Sequence, residues 1–126
     1  MGFPCVGILR IVAGRIVNVT IDCRSPSQLI RFWAAVLDYD VQHDEDLYGA
    51  LTDPTGGSPR LRFQVVPEEK VVKNRVHLDV AVPDRDAEIE RLVELGGIRL
   101  RDVEENGDAW TVLQDPEGNE FCVFET

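Results

Sequence analysis

Histidine and cysteine, the residues that most often announce a metal or redox function, are scarce in this chain: two His and three Cys among 126 residues. Cys5, Cys23 and Cys122 are odd in number and form no Cys-x-x-Cys pair. That excludes a disulfide framework and a cysteine-clamped zinc module, and reduced thiols in a cytoplasmic compartment are expected. Cations are also few. Thirteen Lys and Arg against 23 Asp and Glu leave a formal charge of −10, and without a basic face general nucleic-acid binding is excluded. No apolar run approaches the roughly 18 residues that a membrane span needs. Disorder is excluded too, because 44% of the residues are apolar and 29% charged, enough to build a core. The length suits one domain of about 100–150 residues.

The apolar stretch Val6 to Ala13 lacks a basic leader and is interrupted by Arg10. It is therefore not expected to be a targeting signal. Residues 1–15 are read as an N-terminal tail or an extra edge strand, ahead of one domain at 16–126.

What the sequence does have is an internal repeat. Tyr48-Gly-Ala-Leu-Thr-Asp-Pro-Thr-Gly56 aligns with Trp110-Thr-Val-Leu-Gln-Asp-Pro-Glu-Gly118, an offset of 62 residues (48 to 110). Both copies place Leu two residues before Asp-Pro-x-Gly and an aromatic three residues before that Leu. Val19-Thr-Ile-Asp22 matches Leu78-Asp-Val-Ala81 in its alternation. The chain thus divides into module one (16–66), a connector (67–74, Pro67 to Asn74) and module two (75–126).

Each module reads strand, helix, three strands, giving an α+β fold of two tandem βαβββ units that curl around a shared cleft. In module one Ile16 to Cys23 alternates with period two. Ser25, Pro26 and Gln28 predict a capping box with proline at the first helical position. Leu29, Phe32, Trp33, Val36 and Leu37 then form an apolar helix stripe. In module two a strand is expected over His77–Val82, and Asp84 caps a helix that Gly96-Gly97 ends. Asn106-Gly107 predicts a hairpin turn.

Alternation also sorts the side chains by face. Val19, Ile21, Leu61, Phe63, Leu78, Val80, Phe121 and Val123 point to the core. Asn18, Thr20 and Asp22 share the opposite face of the first strand, and Arg60, Arg62 and Gln64 that of the fourth. His77 and Asp79, with Glu120, Cys122 and Phe124, take the same face in module two. These residues are the candidate lining of a small-molecule site.

The two copies, with His77-Leu-Asp-Val-Ala-Val-Pro-Asp84 opening the second and Asp115-Pro-Glu-Gly-Asn-Glu-Phe121 closing it, resemble the vicinal oxygen chelate superfamily, which contains glyoxalase I, bleomycin-resistance proteins and extradiol dioxygenases. Phe32-Trp-Ala-Ala-Val-Leu37 and Trp110-Thr-Val-Leu-Gln-Asp-Pro-Glu-Gly-Asn-Glu-Phe-Cys122 resemble its glyoxalase-like domain branch most closely. The similarity runs from about Arg15 to Phe124. It implies a homodimer binding a small molecule and, for an enzyme, a lyase, isomerase or dioxygenase relative. It also implies four places for ligands to a divalent metal, which here hold Asn18, Gln64, His77 and Cys122. Only His77 is a standard ligand among these, so no catalytic metal and no other cofactor is expected.

Several roles stay open at this stage. His77 is the candidate catalytic acid or base, with a ligand or purely structural role as alternatives. Cys122 reads as a small apolar filler. Asp22, Asp79, Arg60 and Arg62 either orient a charged ligand or neutralise one another. Lys70, Lys73 and Arg75 either meet an anion or form a solvated linker. Trp110 and Tyr48 hold matching repeat positions, explained equally by packing and by ligand stacking. Two functions follow: an enzyme using His77, or a non-catalytic protein that sequesters a small molecule.

Overall fold

The computed structural model describes residues 14–126, so the reading of the N-terminal stretch as a tail or edge strand falls largely outside the described residues. Module one runs β1 (Asn18–Cys23), α1 (Pro26–Leu37), β2 (Asp40–Glu45), β3 (Tyr48–Thr52) and β4 (Arg60–Val65). Module two runs β5 (Asp79–Val82), α2 (Arg85–Glu94), β6 (Ile98–Glu105), β7 (Asp108–Gln114) and β8 (Glu120–Glu125). The sheets have the same plan: strand order β1-β4-β3-β2 in one, β5-β8-β7-β6 in the other. In each, the first strand pairs parallel with the last and the remaining pairs are antiparallel.

Sequence chemistry sets most of the boundaries. Pro26 begins α1, where its missing N–H costs nothing. The helix ends where Asp38 adopts a left-handed φ of 55°. Asp84 caps α2 by accepting from the Ala87 N–H at 3.2 Å. Asn106 and Gly107 both take positive φ, 53° and 85°, the conformation a two-residue hairpin between right-twisted strands demands. Gly49 of β3 serves close packing: a Cβ there would require the Ile30 side chain of α1 to shift.

Two local expectations differ. Ser25 stands at the N-cap of α1 in extended conformation, but its side chain makes no capping bond. The Glu117 carboxylate of module two reaches across instead, accepting from the N–H of Arg24 at 2.7 Å and of Ser25 at 2.6 Å. Glu117 thus takes the Ser25 N–H that Gln28 would accept in a capping box, and its charge strengthens the bond. The second difference is at β5, which begins at Asp79, two residues later than expected. His77 precedes the ladder, and the last backbone bond at that end runs from the Cys122 N–H to the Leu78 carbonyl.

One continuous core serves both modules. Leu29, Phe32, Trp33, Leu51 and Phe63 from module one cluster with Val80, Ile89, Leu92, Leu113 and Phe121 from module two. Trp33 packs edge-on to Phe121, ring centroids 4.8 Å apart, and Phe32 does so at 5.9 Å. Its indole N–H donates to Asp115, a carboxylate with no exposed surface. The Arg91 guanidinium of α2 donates to the Ala35 carbonyl of α1 at 2.7 Å. The modules are therefore joined through apolar surface, indole and backbone together.

Candidate functional site

The core takes one face of each sheet and leaves the other, inner face free. On module two, register decides which side chains gather there. Asp79 lies opposite Cys122, Cys122 opposite Val112, and Val112 opposite Arg101. One step along, Phe124 lies opposite Trp110, and Trp110 opposite Val103. Paired residues in a sheet share a face. They line a cavity of about 560 Å³, whose remaining wall is Lys73, His77 and Glu120. That volume falls within the range of small-molecule sites, roughly 300–1,000 Å³.

The cavity is polarised. Its floor is aromatic: the Trp110 and Phe124 rings stack with centroids 5.4 Å apart and an interplanar angle of 27°. Its other end is charged. His77 Nδ1 lies 3.1 Å from Asp79 Oδ1, a contact that orients the imidazole ring. The Lys73 ammonium is 3.0 Å from Glu120 Oε1, and the Arg101 guanidinium is 3.9 Å from the same oxygen. Cys122 is buried, and burial followed by the neighbouring Asp79 carboxylate pushes its thiol pKa up. At neutral pH it is a protonated thiol in the cavity wall.

Module one presents its inner face differently. Arg60 donates to the Asn18 amide oxygen at 2.9 Å and to that of Gln42 at 2.8 Å. Arg62 lies over the Tyr48 ring, 4.8 Å from its centroid. Among the described residues no ion pair joins Arg60 or Arg62 to Asp22 or Asp79, so these four do not neutralise one another. Arg60, Arg62, Asn18 and Gln64 line neither this cavity nor the one beside it. Thr20 and Asp22 border that second cavity, in the seam between the modules, whose wall also includes His77 and Glu120. Five of the expected site residues, His77, Asp79, Glu120, Cys122 and Phe124, thus share the first cavity.

Sequence reasoning overlooked Arg101, Val103 and Val112. A signal was available: counting outward from the Asn106-Gly107 turn places Val103 opposite Trp110 and Arg101 opposite Val112. Lys73 was noticed only as part of a basic cluster.

The four places for a metal are divided between the two modules. Asn18 gives its amide oxygen to a guanidinium, which repels a cation, and neither Asn18 nor Gln64 shares the cavity of His77 and Cys122. A different set does converge: donor atoms of His77, Asp79 and Cys122 lie within 4.8 Å of one another. Three such donors equal the protein ligands of a catalytic zinc site. In the described structure two of them, His77 and Asp79, are already engaged with each other.

Similar proteins agree with this architecture. Solved structures sharing the fold include a glyoxalase/bleomycin resistance protein/dioxygenase family enzyme from Burkholderia phytofirmans PsJN (17% identity, 86% of this chain and 96% of that one, TM-score 0.72). A fosfomycin resistance protein, FosX, from Mesorhizobium loti matches with 14% identity over 92% of this chain and 94% of that one, TM-score 0.69. The bleomycin-binding protein of Streptomyces verticillus, complexed with copper(II)-bleomycin, matches with 16% identity over 92% and 99%, TM-score 0.61. No curated protein matches the sequence. At these identities the structures establish the fold alone. The family follows from the sequence itself, because residues 18–124, both modules from the first strand to the last, match the model of the glyoxalase-like domain, and to that family the chain belongs.

Proposed function

We propose that the chain binds a small, flat molecule on the inner face of module two and acts on it by proton transfer through His77, without a four-ligand metal centre. One observation carries this reading: the His77–Asp79 pair, 3.1 Å apart, stands at the edge of a cavity floored by the Trp110–Phe124 stack. A stacked floor accepts planar groups, and a carboxylate beside an imidazole keeps the base oriented. The protein is read as a homodimer of the cytoplasm; a monomer by light scattering at micromolar concentration would refute the dimer.

A second reading, sequestration without chemistry, is favoured by the same aromatic floor and by fold relatives described as bleomycin-binding and fosfomycin-resistance proteins. The two separate in one experiment. A thermal-shift screen of small planar metabolites identifies a ligand, because binding to the folded state alone raises the melting temperature. His77→Ala is then compared with the natural protein. Loss of turnover with affinity retained supports catalysis. Affinity retained with no turnover in either protein supports sequestration. Binding that survives Trp110→Ala with Phe124→Ala overturns both, since the ligand would then sit elsewhere.

A further inference from the structure

The second cavity, about 520 Å³ in the seam between β1 and the connector, has a composition unlike the first. Its apolar walls come from both modules: Val19 and Ile21 of β1, Trp33 of α1, Leu78 and Phe121 of module two. Trp33 and Phe121 are otherwise core residues, each 1% exposed. At its edge Val72 of the connector and Val76, at the start of module two, stand in the open, 74% and 80% exposed. Branched apolar side chains left in water beside an apolar cavity are burial that a ligand would complete.

The charge is equally distinctive. Lys70, Lys73 and Arg75 line this cavity against two carboxylates, Asp22 and Glu120, so the lining is net positive in a chain of charge −10. Lys73 is committed to Glu120, and the Lys70 ammonium is bonded to the Val72 carbonyl. Arg75 makes no ion pair among the described residues. The basic cluster Lys70, Lys73 and Arg75 is therefore placed over an apolar slot, with one guanidinium free to accept an anion.

We propose that this seam is a second ligand site, beside the inner-face cavity, and that it takes an amphiphilic anion: an alkyl body laid against Val19, Ile21 and Leu78, next to Trp33, and a single anionic head held by Arg75 with Lys70. Charge complementarity selects the head, and the two-module apolar wall selects the body. The site borders the first cavity through Lys73, His77 and Glu120, but it needs neither His77 chemistry nor the aromatic stack.

The probe is decanoate, with decanol as the uncharged comparator. Trp33 and Trp110 are the only tryptophans in the chain, so a Trp110→Phe background makes Trp33 the sole reporter. Decanoate at submillimolar concentration is expected to shift and saturate the Trp33 emission. Decanol should bind at least about tenfold more weakly, the scale of one charge-assisted contact. Arg75→Gln should weaken decanoate by a similar factor and leave decanol unchanged; Arg75 is exposed, so this variant keeps the fold. Val72→Asp should abolish both. An emission that does not respond by several millimolar decanoate overturns the proposal, as does equal affinity for acid and alcohol or indifference to Arg75→Gln. Because the first cavity lacks its Trp110 in this background, a failure of the inner-face reading leaves the result untouched.

Discussion

The two Asp-Pro-x-Gly turns occupy equivalent places in the repeat, yet they have different duties. In module one Asp53 makes a local turn, its carboxylate accepting from the Thr55 N–H at 2.9 Å and the Thr55 hydroxyl at 2.7 Å. In module two Asp115 makes the same turn by accepting from the N–H of Glu117 at 2.9 Å and of Asn119 at 3.0 Å, and then also accepts from Trp33 Nε1 at 3.1 Å. Two residues on, Thr55 of the first copy corresponds to Glu117 of the second, which holds the start of α1. A duplicated motif has thus stayed a turn on one side and become the clasp between modules on the other. The inner faces diverge in the same sense: module one spends its arginines on Asn18, Gln42 and Tyr48, whereas module two keeps an aromatic-floored cavity.

The largest expected effect tests the clasp. Asp115→Ala leaves the buried indole N–H of Trp33 and two backbone N–H groups without acceptors, and should cost about 3–4 kcal/mol. Asp53→Ala removes bonds that water replaces, so its urea midpoint should stay near that of the natural protein. Equal losses in the two variants would break the comparison, because they would make both turns purely local.

A smaller effect concerns Cys23, at the end of β1 beside the clasp. Burial first, then the Glu117, Asp22 and Asp115 carboxylates, raise its thiol pKa from 9.0 to about 11. The folded state therefore favours the neutral thiol. This contribution is fully present below pH 9, and is lost as the pH rises toward 11, because the unfolded chain ionises first. Its size is about 3 kcal/mol at most. Cys23→Ala lacks this ionisation, so the stability gap between natural protein and variant should narrow between pH 8.5 and 10.5 in urea melts. A gap independent of pH would show that the thiol ionises freely in the fold.

The inner faces are compared through their aromatics. Once a ligand is in hand, Trp110→Ala should weaken it about tenfold or more, as expected for a lost stacking surface. Tyr48→Ala, at the matching position of module one, should change affinity less than twofold or threefold. Calorimetric titration of both variants decides it, and a larger loss from Tyr48→Ala would move the site to module one.

These contrasts also mark how far the sequence could be read. The repeat made both modules legible, and the period of two alone places His77, Asp79, Glu120, Cys122 and Phe124 on one face. Neither signal separates one inner face from the other, since Arg60 and Arg62 alternate as cleanly as Cys122 and Phe124. That choice depends on long-range register and on who satisfies the arginines, neither of which is local. The clasp was illegible for the same reason: Trp33 and Asp115 are 82 residues apart, and each has a sufficient local explanation, as core residue and as turn residue. One half of the expected Ser25 capping box was equally illegible: the acceptor on the Ser25 N–H is Glu117 of the other module in place of Gln28.

The smallest expected signal belongs to metal. His77, Asp79 and Cys122 bring three donors together on module two, while the corresponding strands of module one offer Asn18 and Gln64, neutral amides too weak to complete a site for a transition metal. Asp79 also has His77 as a partner at 3.1 Å, so an ion there would compete with that pairing. Protein purified without chelators or a metal-binding tag is therefore expected to contain well under one equivalent of zinc, nickel, manganese or iron by elemental analysis. One full equivalent that disappears in both Cys122→Ser and Asp79→Ala would put a metal at these three donors. Proton transfer by His77 would then give way to metal-assisted chemistry, and the asymmetry between modules would extend from packing to the reaction itself.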